Sequence, residues 1–73
     1  MIVIDLYMDG EVAMSLDYDS FEALYRDMGD RLGIDEFDGV DDVVDFLNDQ
    51  DAGVIQDVFY VSITARDWQF VAA

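Results

Sequence analysis

The stretch IVIDLYMDGEVAMSL, residues 2–16, changes side-chain character at every second position on both sides of Asp9-Gly10. Ile2, Ile4, Leu6 and Met8 fall on one face of an extended chain, and Val3, Asp5 and Tyr7 on the other. Val12, Met14 and Leu16 resume the pattern after the turn. Asp-Gly suits the left-handed positions of a two-residue turn, so the stretch predicts a β-hairpin. A hairpin with one apolar face needs a second layer to cover it.

The following residues supply that layer. Asp19 or Ser20 suits the start of a helix, and Phe21, Leu24, Tyr25, Met28 and Leu32 form one stripe along it. Gly33 suits its end. A second helix is predicted at about 38–50, where Val40, Val43, Val44 and Leu47 recur at i, i+3, i+4 and i+7. The segment VFYVSITA, residues 58–65, is rich in β-formers and alternates, and WQFV at 68–71 reads as its partner across Arg66-Asp67. Trp68 and Phe70 then point inward. The expected fold is α+β: a small antiparallel sheet of about four strands with two helices on one face, in the order ββααββ. With no proline and no linker, residues 1–73 read as a single acidic domain.

Charge narrows the function. Asp and Glu total 18 against three arginines, Arg26, Arg31 and Arg66, and the net charge is −15. Such a surface repels nucleic acid and anionic membranes, so direct binding to either is not expected. The start MIVIDLYM lacks a basic leader and contains Asp5, and no apolar run approaches the roughly 18 residues of a membrane span. A cytoplasmic location is expected, that of the host if the chain is phage-encoded. The chain has no Cys, His or Lys. The hydroxyls of Ser15, Ser20, Ser62 and Thr64 therefore lack a usual base, and zinc lacks its usual ligands; neither an enzyme nor a cofactor is expected. Asp49, Asp51 and Gly53 hint at a calcium loop, but the glycine is one position early and Tyr60 replaces the closing Glu.

The acids are unevenly arranged. On the first helix Glu22 and Arg26, like Asp27 and Arg31, are spaced as i,i+4 ion pairs. From Leu32 to Ala65 there is no basic residue. Asp38, Asp41, Asp42, Asp45 and Asp49 fall in one sector of the predicted second helix, flanked by Asp35, Glu36 and Asp51. Repulsion within this ridge costs roughly 1 to 2.5 kcal/mol. A helix from Asp38 to Asp49 rises about 16 Å, and a DNA strand advances about 3.4 Å per phosphate, so five carboxylates span about five phosphate steps.

In length, charge and the acidic run at 35–51, the chain resembles phage-encoded DNA-mimic inhibitors of the anti-CRISPR, anti-restriction and glycosylase-inhibitor types. The resemblance is of class and carries no residue correspondence. It implies a non-enzymatic inhibitor that occupies the basic groove of a DNA- or RNA-handling protein. The partner-binding residues are then Asp35, Glu36, Asp38, Asp41, Asp42, Asp45, Asp49 and Asp51, with Phe46 at the edge of the sector as an anchor or as peripheral core. Two other readings stay open. One is a halophilic small interaction domain, whose acids tolerate molar salt. The other is an antitoxin or immunity-type nuclease inhibitor that acts through a few hot spots. A monomer is expected, or a homodimer if the last strand leaves an open edge.

Overall fold

The computed structural model describes residues 1–34 and 36–73. Its elements are β1 (Ile2–Met8), β2 (Glu11–Tyr18), α1 (Phe21–Leu32), α2 (Val40–Asn48), α3 (Ala52–Phe59) and β3 (Trp68–Ala72). The α+β class and the antiparallel sheet are as expected. The number and order of elements are not: among the described residues three strands in the order β2-β1-β3 and three helices replace four strands and two helices.

The hairpin closes at Asp9 and Gly10, with φ of 51° and 84°, and Met8 pairs with Glu11. Both turn residues are left-handed, which suits the twist of the strands that they join. Its register then shifts: Leu6 pairs with Met14 and Tyr7 with Val12, leaving Ala13 as the extra residue of a bulge. Residues directly opposite share a sheet face, so Val12 lies with Tyr7, away from Met14 and Leu16, and is 50% exposed. That corrects the simple alternation expected of β2.

Ser20 caps α1, its Oγ accepting from the Ala23 N–H at 3.2 Å. Gly33 ends the helix at φ 70°, donating its N–H to the Gly29 carbonyl at 2.9 Å.

Residues 58–65 do not form a strand. Val58 and Phe59 complete α3, and Tyr60 ends that helix in the left-handed region at φ 55°. Helical spacing buries Ile55 and Phe59 together, which outweighs the β propensity of VFYV. Beyond Tyr60 the burial still alternates, with Val61, Ile63 and Ala65 half-buried and Ser62 and Thr64 exposed. No ladder forms there, and the Ile63 N–H donates to the Gln56 side chain at 2.7 Å. Arg66-Asp67 is consequently not a hairpin turn. It leads into β3, which pairs antiparallel with β1 from Met8↔Trp68 to Ile4↔Ala72.

The core lies on one face of the sheet. Ile4, Leu6 and Phe70 meet Leu24 and Met28 of α1, Val43 and Leu47 of α2, and Ile55 and Phe59 of α3. Each such side chain contributes about 1.5–3 kcal/mol when fully buried. Arg31 ties the helices together: its Nε donates to Asp27 at 3.0 Å, its Nη1 donates to the Val58 carbonyl at 2.9 Å, and its guanidinium lies 5.4 Å from the Phe59 ring centre. The Tyr18 hydroxyl donates to the same Asp27 at 2.5 Å, which joins β2 to α1.

Candidate functional site

Buried Val43 and Leu47 orient α2, and its polar positions face outward. Glu36, Asp38, Asp41, Asp42, Asp45, Asp49 and Asp51 are all exposed, while Asp35 lies outside the described residues. Among the described residues both ion pairs are on α1, Glu22–Arg26 at 3.6 Å and Asp27–Arg31 at 3.0 Å. The described carboxylates around α2 have no such partners among the described residues.

The ridge is shorter than its sequence suggests. Only Asp41, Asp42 and Asp45 stand on α2, whose nine residues rise about 13 Å. Asp38 precedes the N-cap residue Gly39, and its backbone N–H donates to the Asp42 carboxylate at 3.1 Å. Gly39 offers no side-chain cap, so Asp42 reaches back over the helix start in its place. Asp49 is the C-cap residue of α2 and Asp51 the N-cap residue of α3, where the Asp51 carbonyl accepts from Val54 and Ile55. The surface is thus an acidic strip: a loop, a short helix and a helix-to-helix joint.

Phe46 is half-buried and stands outside the central core cluster. Its ring meets Phe37 edge-on at 5.7 Å, Phe37 meets Tyr25 at 6.0 Å, and Tyr25 meets Phe21 at 6.1 Å. A line of four aromatic rings therefore runs from α1 to α2. Sequence reasoning missed Tyr60, which is 90% exposed at the end of α3. Its parity with Ser62 and Thr64 in the alternating run at 58–65 was a signal for an outward ring, and the left-handed end of α3 keeps it exposed.

Among the described residues no cluster of three or more acids is placed to hold a metal ion. A shallow groove of about 410 Å³ lies at the hairpin end, lined by Tyr7, Gly10, Arg66, Asp67, Trp68 and Gln69. It contains none of the acids around α2. No described helix is long and apolar enough to cross a membrane. No family model, curated protein or solved structure matches the chain.

Proposed function

We propose that this chain is a non-enzymatic DNA-mimic inhibitor whose acidic strip at 36–51 occupies the basic groove of a DNA- or RNA-handling protein. The observation that carries the reading is the exposed row of described carboxylates around α2, with no ion-pair partner, beside an α1 that holds two ion pairs and leaves only Asp30 of its acids outside them. A row of one sign without internal counter-ions offers a basic groove the field that a phosphate backbone offers it. The target would lie in the cytoplasm, where such proteins meet DNA or RNA.

The test is capture from a bacterial lysate on the immobilised protein, with a variant carrying Asp38→Asn, Asp42→Asn, Asp45→Asn and Asp49→Asn as control. Mimicry expects nucleic-acid-handling proteins that are released by salt or duplex DNA and are absent from the variant. Equal capture by the variant would reject it. On the purified target, each single Asn change should cost modestly and similarly.

Tyr60 and Phe46 favour a second reading, an antitoxin or immunity-type inhibitor that works through anchors. That reading expects Tyr60→Ala or Phe46→Ala to cost about 2 kcal/mol or more in binding, with most acids near neutral.

A further inference from the structure

The two edges of the sheet are treated differently. On β1 the residues Val3, Asp5, Tyr7 and Asp9 direct their backbone groups at β3, as the Ala73 N–H to Val3 carbonyl and Asp9 N–H to Asp67 carbonyl bonds show, each 2.9 Å long. The intervening Ile2, Ile4 and Leu6 therefore bond to Tyr18, Leu16 and Met14 of β2. It follows that Trp68, Phe70 and Ala72 turn their N–H and C=O groups outward on one edge, and Ser15 and Asp17 on the other. The β3 edge is guarded at its middle, where Asn48 occupies both backbone groups of Phe70. Among the described residues no strand lies beside the β2 edge, and Ser15 and Asp17 are exposed. The bulge at Ala13 sits near the turn and leaves Met14–Tyr18 in regular register.

We propose that the β2 edge docks an extended basic segment of a partner protein as a fourth strand, with alternating basic and apolar residues. Each face of β2 dictates half of that pattern. Ser15 and Asp17 lie on the open face beside Asp5, whose carboxylate accepts from the Ser15 hydroxyl at 2.6 Å. Ligand residues bonded to the Ser15 and Asp17 backbones share that face, where Lys or Arg meets two carboxylates. The intervening ligand residues fall beside Met14, Leu16 and Tyr18, which are half-buried on the helix-covered face, and there apolar side chains extend the core. A second copy of this chain fits poorly. Antiparallel pairing about Ser15 would set Asp19 against Glu11 of the copy, between two chains of net charge −15. The proposal does not rest on the acids around α2.

Three synthetic peptides test it by amide NMR of the full chain. The first alternates Lys and Val, the second is the same peptide N-methylated at its lysines, and the third has Glu for Lys. Docking expects the first to shift the Ser15 and Asp17 amides saturably and to slow their hydrogen exchange about tenfold or more. The second keeps charge and side chains but loses the donors that face β2, and it should not do so; nor should the third. Ser15→Pro removes an outward N–H without touching the β1 ladder, so it should fold and fail to bind. Equal effects of the first two peptides, shifts confined to α2, or no binding would overturn the proposal. So would a dimer of the protein alone with Ser15 and Asp17 protected, which would make a second copy the occupant. If Ser15→Pro does not fold, the comparison of the first two peptides decides the matter.

Discussion

The Asn48 side chain, at the end of α2, holds Phe70 of β3 by both backbone polar groups: Nδ2 donates to the carbonyl at 3.0 Å and Oδ1 accepts from the N–H at 2.7 Å. The carboxamide takes the place of a neighbouring strand at the residue whose ring is buried in the core. Asn48→Ala should lower stability by about 1–3 kcal/mol in urea unfolding and speed exchange of the Phe70 amide. Asn48→Asp keeps the acceptor but sets a carboxylate against the Phe70 carbonyl, so it should recover none of that loss at neutral pH. Unchanged stability in Asn48→Ala would show that the clasp contributes nothing.

Alkaline pH should weaken the fold through Tyr18. Burial first, then the hydrogen bond and negative charge of Asp27, hold its phenol above the usual tyrosine range. The folded state thus keeps a proton that the unfolded state releases near pH 10, so the contribution is complete below about pH 10 and is lost as pH rises above it. Tyr18→Phe should flatten the fall in melting temperature over that window. At neutral pH it should lower stability by about 1–2 kcal/mol, because Asp27 loses a donor.

Repulsion around α2 should be concentrated at Asp45. It lies three or four residues from Asp41, Asp42 and Asp49, whereas Asp38 stands off the helix. Asp45→Asn should raise stability by roughly 0.5–1 kcal/mol at low ionic strength, and moderate NaCl should raise the wild-type melting temperature. Asp42→Asn should not stabilise, because Asp42 accepts from the Asp38 N–H at the helix start. A salt-insensitive melting temperature would count against unpaired acids. The halophile reading requires more: a chain largely unfolded in dilute buffer.

Tyr60 holds a left-handed backbone with its ring 90% exposed, so little packing compensates the strain. Tyr60→Gly should therefore stabilise by about 0.5 kcal/mol, the steric relief exceeding the added chain entropy of glycine. Melting curves of the two proteins check the sign. If the same change weakens binding to a captured partner, Tyr60 is an anchor retained against stability.

Features written within a few adjacent residues were legible in the sequence. The Asp9-Gly10 hairpin, α1 with Gly33 at its end, the buried valine and leucine positions of α2 and the exposure of the acids beside them all depend on local spacing and turn chemistry. So was the asymmetry between α1, with its two ion pairs, and α2, with none, because i,i+4 partners are read directly from the chain. What remained undecided was which of two locally acceptable states each of the later segments would take. Residues 58–65 carry a strand pattern, yet burying Ile55 with Phe59 makes the first part a helix, and Gln56 takes the Ile63 N–H that a ladder would need. β3 then finds β1 instead of its sequence neighbour, and Asn48 closes its outer edge. The length of the acidic ridge followed the same logic, since Gly39 and the joint at Asp49–Asp51 trim the helix predicted at 38–50. Local propensities differ by a kilocalorie or less, whereas burying one large apolar side chain is worth about 1.5–3 kcal/mol, so contacts between residues distant in sequence decide where local signals compete.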